Sequence, residues 1–324
     1  MSDEFCIAVV IPCFKVRKQI LAVLDRIGSE VTYIFVVDDC CPEKSGAYVE
    51  ERCKDARVKV LYNATNLGVG GAVIHGYREA LRYNDIDIIV KIDGDGQMDP
   101  SLVPNLVEPI KREIADYVKG NRFYNLENIK RMPKIRIFGN TTLSFFSKLS
   151  TGYWQLFDPN NGFTAIRSDV LREINLNTID NGYFFETDML FRLNTIRANV
   201  IDMPMDAVYE DEKSNIKLWR TAASFFCKHS CNTVKRIFYN YYLRDVSLAS
   251  IELPLGLFFF CSGLICFDAE VTDCDPMITS FFKIVIGLQL LLGFFSYDIA
   301  STPHKAFQSF VKKKKSKDQQ KKSC

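Results

Sequence analysis

The chain has 324 residues, 48% hydrophobic and 25% charged, a composition that excludes a disordered protein and provides for a large apolar core. The net charge is only +2, and residues 312–324 alone carry seven lysines against one aspartate, a local charge of +6 that leaves −4 for the rest of the chain. Basic character confined to a tail argues against a nucleic-acid-binding surface.

Predicted strands and helices alternate through the first 92 residues. Apolar runs rich in β-branched residues predict strands at 7–11, 31–37, 58–62 and 86–92, and helical apolar spacing predicts helices at 15–27, 46–53 and 70–81. This alternation predicts parallel strands joined by right-handed crossovers, with ligands bound beyond the carboxyl ends of the strands. The residues at those predicted ends are Pro12, Asp38, Asp39, the loop 63–68, Asp93 and Asp95, so we expect separate loops to converge on one site.

The stretch VKIDGDGQMDP at 90–100 reads as a buried strand that ends in a turn carrying Asp93, Asp95 and Gln97. Gly94 and Gly96 remove side chains beside each carboxylate, which leaves room for a bulky ligand. Carboxylates two residues apart at a strand end can jointly hold Mg²⁺ or Mn²⁺, and these ions keep positions for the phosphate oxygens of a nucleoside diphosphate. The alternative is an Asp/Gly turn whose side chains only cap backbone amides.

A glycine-rich piece, Gly68, Gly70 and Gly71, follows a polar loop and lacks the third glycine of a G-x-G-x-x-G dinucleotide fingerprint. Two interpretations stay open. The glycines either let the helix from Gly70 pack close to the sheet or shape a nucleotide pocket.

A run of short motifs gives the chain a family resemblance. The order VVIPCF, VVDDC, NLGVGGAVIHG, IDGDGQMDP and KGNRF resembles glycosyltransferase family 2, the inverting GT-A enzymes. The later order FDPNNGFTAIR, GYFFETDML and YEDEKSNIK, followed by two apolar spans, is similar to the polyprenyl-phosphate sugar transferases, the group that includes dolichol-phosphate mannose synthase. The resemblance implies an α/β GT-A nucleotide-sugar-binding fold with a mostly parallel sheet, plus a C-terminal two-helix transmembrane hairpin.

The same resemblance implies roles for residues of the donor site. It implies that Asp38 or Asp39 contacts the base or ribose of the nucleotide, in a pocket that Pro12 borders. It implies that Asp93, Asp95 and Gln97 surround a Mg²⁺ or Mn²⁺ ion, with Asp95 also counted as catalytic.

On the acceptor side, the resemblance implies that Arg122 meets the diphosphate or the acceptor phosphate, and a guanidinium suits either because it binds phosphate in bidentate fashion. Asp158 would orient the acceptor or sugar, with general-base chemistry as the alternative. The substrate-binding residues implied further along are Glu186, Asp188 and Ser214. The acidic pair could instead cap the helix predicted to start near 186.

A basic segment at 130–136 precedes an amphipathic run at 142–149. It is interpreted either as a solvated helix face or as the mouth that receives an anionic lipid head. In the second interpretation Arg136 is the best candidate for the phosphate contact.

Two apolar spans, 247–267 and 277–297, are each 21 residues long, enough to cross a ~30 Å hydrocarbon core at about 1.5 Å per residue. The link 268–276 carries four acidic residues and no Lys or Arg. Because Lys and Arg favour the cytoplasmic side, the link is predicted outside, with the catalytic domain and the basic tail inside. Eleven cysteines without paired spacing also fit a reduced compartment. A buried hairpin of a soluble protein is the alternative.

These observations predict a GT-A catalytic domain at 1–215, amphipathic juxtamembrane helices at 216–246, a transmembrane hairpin at 247–300 and a basic cytoplasmic tail at 301–324. The predicted activity is inverting transfer of a sugar from a nucleotide-diphosphate sugar to a polyprenyl phosphate, undecaprenyl or dolichyl, at the cytoplasmic face. Membrane lipids are expected partners, nucleic acid is not, and homo-oligomerisation is left open. The alternatives are a GT-A polysaccharide synthase, although the sequence has no Q-x-x-R-W segment, and a non-catalytic membrane scaffold, although both metal carboxylates are present.

Overall fold

The computed structural model describes residues 5–124, 134–158, 161–205, 218–268 and 274–304. Its strands are β1 Ile7–Cys13, β2 Val31–Asp38, β3 Val58–Tyr62, β4 Ile88–Lys91, β5 Tyr117–Asn121, β6 Thr164–Arg167 and β7 Val200–Pro204. Its helices are α1 Ile20–Asp25, α2 Ser45–Arg52, α3 Gly68–Ala80, α4 Val103–Lys111, α5 Lys134–Thr151, α6 Ser168–Arg172, α7 Phe185–Thr195, α8 Leu218–Phe238, α9 Leu248–Asp268 and α10 Cys274–Ala300. A π-helical turn, Tyr239–Arg244, connects α8 towards α9.

The strands form one seven-stranded sheet in the order β3-β2-β1-β4-β6-β5-β7. Neighbouring strands are parallel except at β6, which is antiparallel to both β4 and β5. The other six strands point the same way, so their carboxyl ends lie along one edge of the sheet, together with the amino end of β6. The predicted mostly parallel α/β sheet is confirmed.

Helices cover both faces of the sheet, as a central strand such as β1, whose side chains are all buried, requires. Side chains alternate between faces along β1: Val9 and Ile11 pack in the core that includes α1 and α4, and Val10 packs in the core that includes α3. Helix α3 approaches the sheet closely at Gly76, where an added Cβ would lie 2.3 Å from Val10 Cγ1. Gly76, and not the Gly68 to Gly71 cluster, therefore permits the close packing of this helix on the sheet.

The glycines at the start of α3 instead contact the loop that precedes α7. A Cβ at Gly70 would lie 2.5 Å from the carbonyl oxygen of Asp180, and Gly71 donates its N–H to the carbonyl of Asn181 at 3.0 Å. Gly68 adopts φ +84°, a conformation that favours glycine. Of the two open interpretations, packing of these glycines on the sheet is replaced by packing on a neighbouring loop.

Helices α9 and α10 pair as an antiparallel hairpin. Leu248–Cys266 and Met277–Ala300 are long and apolar enough to cross a membrane, and only 22% and 17% of their residues are buried within the protein. The two backbones approach closely at Gly287, where a Cβ would lie 2.5 Å from the backbone nitrogen of Phe260. Small residues at such contacts are typical of paired membrane helices.

The first helix is shorter than its apolar spacing predicts. It begins at Ile20 and not at 15, because the residues before it form a loop in which Lys15 has φ +59°. A non-glycine residue in the left-handed region cannot continue a helix. The loop lies beside the carboxyl end of β1, where the candidate site is found.

Candidate active site

The loops after β1, β2 and β4 meet at one edge of the sheet. Asp39 donates its N–H to the carbonyl oxygen of Cys13 at 3.0 Å, which joins the ends of β1 and β2. Gly94 lies against the end of β1, where an added Cβ would be 3.3 Å from the carbonyl oxygen of Pro12. The convergence expected from parallel pairing is present in the structure.

Asp38 and Asp39 are both almost fully buried at this edge. Asp38 accepts hydrogen bonds from the backbone N–H groups of Cys41 at 2.7 Å and Gly46 at 2.6 Å. Asp39 accepts hydrogen bonds at 2.7–2.8 Å from the Asn63 side chain and from the N–H groups of Leu67 and Gly68. The two carboxylates therefore fix the loops that border the pocket.

The Asp93 to Gln97 turn follows β4 directly. Asp95 Oδ1 accepts a hydrogen bond from the Gln97 N–H at 3.0 Å, and Gly96 has φ +81°. The chain therefore makes a tight turn between these residues. Asp95 and Gln97 are partly exposed. This arrangement includes the backbone capping that was the alternative interpretation.

Lys91 connects the turn to α7. Its side chain is buried, and Nζ lies 3.0 Å from Asp93 Oδ1 and 2.8 Å from Glu186 Oε1. Burial alone would lower the pKa of Lys91, but the charges of Asp93 and Glu186 more than offset it and raise the pKa. Gly162 closes over this group: an added Cβ would lie 2.3 Å from Lys91 Nζ and 2.7 Å from Asp93 Oδ2.

Arg122 and Asp158 form a bidentate pair next to this group. Arg122 Nε and Nη2 donate to the Asp158 carboxylate at 2.8 and 3.0 Å, and the Arg122 N–H adds a longer bond at 3.3 Å. Burial raises the pKa of Asp158, but hydrogen bonds from Arg122 and the charge of Lys119 outweigh burial, so the net pKa is lowered. The Asp158 side chain is 3% exposed and that of Arg122 is 33% exposed, so the cation is the more accessible member of the pair.

A second buried lysine lies behind this pair. Lys119 on β5 is in register with Asp202 on β7, and both Lys119 Nζ and Asp202 Oδ1 are buried without a hydrogen-bond partner in the described residues. Burial lowers the pKa of Lys119, an effect that the charges of Asp158 and Asp202 oppose. Asp202 Oδ2 accepts from the Phe157 N–H at 2.9 Å, which holds the loop that leads to Asp158.

The remaining predicted residues are not all placed in this group. Asp188 lies in the first turn of α7 but accepts hydrogen bonds from the Asp180 N–H, Arg192 and the Asn232 side chain of α8, so it does not join Glu186 at Lys91. Arg136 belongs to α5, and its side chain is outside the described parts of the structure. Ser214 lies outside the described residues.

Sequence reasoning missed Lys91, Lys119 and Asp202. The available signal was a lysine inside an otherwise apolar strand, because a buried ammonium requires a charged partner. The partner could not be named from sequence, since Glu186 lies 95 residues beyond Lys91.

The donor set at the turn fits a hard divalent cation. Asp93 and Asp95 supply carboxylate oxygens and Gln97 an amide oxygen, the ligand types that Mg²⁺ and Mn²⁺ prefer. Two carboxylates, those of Asp93 and Glu186, flank the single ammonium of Lys91, which leaves a formal charge of −1 for these three side chains. Among the described residues, no three His, Cys, Asp or Glu side chains lie close enough together to hold a metal ion by themselves.

Comparisons with known proteins agree with this geometry. Residues 8–175 match the family model described as "Glycosyl transferase family 2". The chain is 31% identical over 203 residues to undecaprenyl-phosphate mannosyltransferase of Micrococcus luteus, covering 61% of this chain and 82% of that protein. It is 26% identical over 225 residues to UDP-N-acetylglucosamine–dolichyl-phosphate N-acetylglucosaminyltransferase of Methanococcus voltae, covering 65% of this chain and 88% of that protein.

A solved structure shares the fold. Glucosyl-3-phosphoglycerate synthase from Mycobacterium tuberculosis, crystallised in complex with Mn²⁺, uridine diphosphate and glucosyl-3-phosphoglycerate, aligns with a TM-score of 0.51 at 18% identity. The alignment covers 72% of this chain and 80% of that one. At this identity the similarity concerns the fold, and the fold is of the GT-A type.

Proposed function

The chain belongs to glycosyl transferase family 2, and from this membership we propose that it transfers a sugar from a nucleotide-diphosphate sugar to a polyprenyl phosphate, with inversion at the anomeric carbon. One observation carries the proposal: the acidic turn after β4 and the partly exposed Arg122, which follows β5, lie at the same edge of a domain whose chain continues into an apolar hairpin. The relatives named for undecaprenyl phosphate and dolichyl phosphate support the acceptor class.

The donor would bind at the acidic turn. Asp93, Asp95 and Gln97 would hold a Mg²⁺ or Mn²⁺ ion, which supplies positive charge against the diphosphate of the leaving nucleotide. Lys91 keeps Asp93 in place by binding one of its oxygens, and Gly162 leaves the space that this contact needs. Asp38 and Asp39 hold the loops where the nucleotide base and ribose would lie, near Pro12.

The acceptor phosphate would meet Arg122. Its guanidinium is held in one orientation by the buried carboxylate of Asp158, so it presents a fixed cation to an incoming anion. Arg136, on α5, would add a second cation for the same phosphate. In this arrangement Asp158 acts by orienting Arg122, because its own carboxylate is almost fully buried.

The reaction needs little proton transfer. A phosphate monoester has a second pKa near 6, so at pH 7 an acceptor oxygen is already anionic and can attack without a general base. That oxygen forms the new bond to the anomeric carbon while the bond from this carbon to the diphosphate oxygen breaks on the opposite face. The bonding electron pair leaves with the nucleoside diphosphate.

The membrane orientation completes the proposal. The acidic link at 268–276 would lie outside, and the catalytic domain and basic tail would lie on the cytoplasmic side, where nucleotide sugars are available. About 1 kcal/mol of attraction to anionic lipid per lysine near the surface would add to the hold of the hairpin.

A direct assay tests this function. Purified full chain is incubated with farnesyl phosphate, Mg²⁺ or Mn²⁺, and one of several nucleotide sugars: UDP-glucose, UDP-N-acetylglucosamine or GDP-mannose. We expect one donor to give a glycosyl phosphoryl lipid by mass spectrometry and farnesol to give none. Farnesol serving as well as farnesyl phosphate, or no product from any donor with folded protein, would contradict the proposal.

The metal assignment is tested in the same assay. Asp95→Asn should keep its melting temperature and lose about 100-fold or more in turnover, because charge developing on the leaving group is no longer offset. EDTA should stop the wild-type reaction. The matched control is Glu108→Gln, which makes the same carboxylate-to-amide change in an exposed pair with Arg112, away from the turn. Full activity of Asp95→Asn, or of the wild type in EDTA, would contradict the assignment of a metal ion to this site.

A further inference from the structure

Four side chains join the catalytic domain, α8 and the membrane helix α10. Asp298, near the end of α10, is 1% exposed. It accepts hydrogen bonds from Arg236 of α8 at 2.6 and 3.0 Å, from Trp154 Nε1 at 2.8 Å and from the Tyr241 hydroxyl at 2.5 Å. We call Trp154, Arg236, Tyr241 and Asp298 the junction cluster.

The catalytic domain encloses the cationic partner of this cluster. Arg236 is also 1% exposed and donates to the carbonyl oxygen of Leu149, in α5, at 3.0 and 3.2 Å. The chain then turns at Gly152, which has φ +74° and where a Cβ would lie 2.9 Å from Arg236 Nη1. The domain backbone therefore closes on the guanidinium at a point where only glycine leaves room.

Further contacts fix the end of α10 from other directions. Arg197 donates to the carbonyl oxygen of Ser301 at 2.7 Å, and Thr302 donates to the carbonyl oxygen of Gly152 at 3.3 Å. The rings of Trp154 and Phe295 lie 6.4 Å apart, edge to face. The end of α10 is therefore fixed against the catalytic domain by these contacts.

The loop 152–158, which carries Asp158, is also held by hydrogen bonds that do not involve Asp298. Trp154 and Asp158 belong to one short loop, so the junction cluster and the Arg122–Asp158 pair share a segment of chain. This loop is also held by the Tyr153 hydroxyl, which donates to the Ala198 carbonyl at 2.6 Å, and by the Phe157 N–H on Asp202. Removing the Asp298 carboxylate should therefore loosen the end of α10, which the contacts of Ser301 and Thr302 still hold, and leave the catalytic pair in place.

A buried ion pair is a poor device for stability alone, because apolar side chains of similar volume often serve as well. What the bidentate pair adds is one fixed orientation between the groups that it joins. A lipid-borne phosphate is confined to the bilayer, so the height and tilt of the site above the membrane decide whether the phosphate can reach it.

We propose that Asp298 is a positioning residue that, through the junction cluster, sets the height and tilt of the catalytic site relative to the membrane. The acceptor part of this inference rests on the proposed function, whereas the orientation part does not. Loss of the Asp298 carboxylate loosens the domain on the hairpin, so a phosphate confined to the bilayer meets the site less often.

The first test does not use activity. Full-length protein carrying a fluorophore at exposed residue 51 is reconstituted into phosphatidylcholine/phosphatidylglycerol vesicles with acceptor-labelled lipid, and time-resolved energy transfer gives the distribution of distances from residue 51 to the bilayer. We expect Asp298→Asn to broaden this distribution. Asp245→Asn, the same change at an exposed carboxylate that pairs with Arg244, should leave the width of the distribution unchanged. An unchanged width in Asp298→Asn would overturn the proposal.

The second test compares acceptors in the same vesicles. With Asp298→Asn we expect transfer to undecaprenyl phosphate in the bilayer to fall about tenfold or more, since small misplacements cost large factors in rate. Transfer to geranyl phosphate, supplied from solution, should stay near the wild-type rate. An equal fall for both acceptors, in step with a lower melting temperature, would show a general structural role and overturn the proposal.

A double variant separates positioning from stability. Asp298→Asn leaves Arg236 buried without its counter-charge, whereas Asp298→Asn with Arg236→Gln removes both charges and should recover melting temperature. The positioning role predicts that the defect with undecaprenyl phosphate persists in the double variant, and its recovery would overturn the role. If wild type transfers to neither acceptor, the proposed function fails, and the distance distribution still decides the role of Asp298.

Discussion

Gly162 is the residue on which the packing of the site most directly depends. A methyl group there would fall 2.3 Å from Lys91 Nζ and 2.7 Å from Asp93 Oδ2. Lys91 cannot move away freely, because it is buried between Asp93 and Glu186. We expect Gly162→Ala to break or stretch the Lys91–Asp93 contact. Displacing Asp93 from its position in the site should lower turnover about tenfold or more, because small misplacements cost large factors in rate.

Steady-state transfer to farnesyl phosphate and thermal melting measure this effect. The matched control is Gly139→Ala, which adds the same methyl group in α5 with nothing within 4 Å of it and should keep turnover and melting near those of the wild type. A Gly162→Ala protein with normal turnover would mean that the Lys91–Asp93 contact does not matter for the reaction.

The residues around Gly162 show what sequence can and cannot predict about the site. The spacing of Asp93, Asp95 and the glycines beside them predicted the turn, because a turn depends on residues that are close together in the sequence. Lys91 and Lys119 were missed because their partners, Glu186 and Asp202, come from strands and helices far along the chain. Pairings of this kind depend on tertiary packing that local patterns do not encode.

Long apolar patterns predicted that a helix or strand is present better than they predicted the residues at which it begins and ends. The strand Val58–Tyr62 agrees with its predicted bounds, while α1 starts five residues late because of the site loop before it. The antiparallel strand β6 was not predicted: Thr164–Arg167 is only four residues, with every side chain buried, so alternation gives no signal. Its direction follows from pairing between β4 and β5, which is a property of the whole sheet.

The hairpin elements lead to a topology prediction. From the acidic link and the basic tail we predict that residue 272 lies outside and residue 316 inside. Starting from a cysteine-free variant in sealed cells, Thr272→Cys should react with a membrane-impermeant maleimide, and Ser316→Cys should react only after permeabilisation. Glu51→Cys, on the exposed surface of α2, is the control for the catalytic side. Labelling of 272 and 316 from the same face would mean that the two helices do not form a membrane-crossing hairpin.

For the molecule as a whole, α8 is packed into the catalytic domain, and the predicted boundary at 215 separates partners that contact one another. The Asn232 side chain donates to Asp188 at 3.0 Å, and Lys228 lies 2.5 Å from Asp180. His229 Nδ1 lies 2.8 Å from Ser150 Oγ, and burial lowers the pKa of this histidine to about 4. A neutral, buried histidine is what an internal interface requires at pH 7.

This packing predicts how the chain responds to truncation. Ending it at residue 215 would remove α8, leave Asp188 and Asp180 without these partners and uncover Phe184, whose ring lies 4.9 Å from that of His229. Uncovering one buried phenylalanine costs about 1.5–3 kcal/mol, and a domain of this size loses about 2–4 °C per kcal/mol. The melting temperature of chain 1–215 should thus be about 3–12 °C below that of chain 1–304. Chain 1–304 lacks only the basic tail and serves as the control against the full chain in the same detergent. Equal melting of 1–215 and 1–304 would show that the catalytic domain ends before α8 and that the contacts of α8 with α5 and α7 contribute no stability.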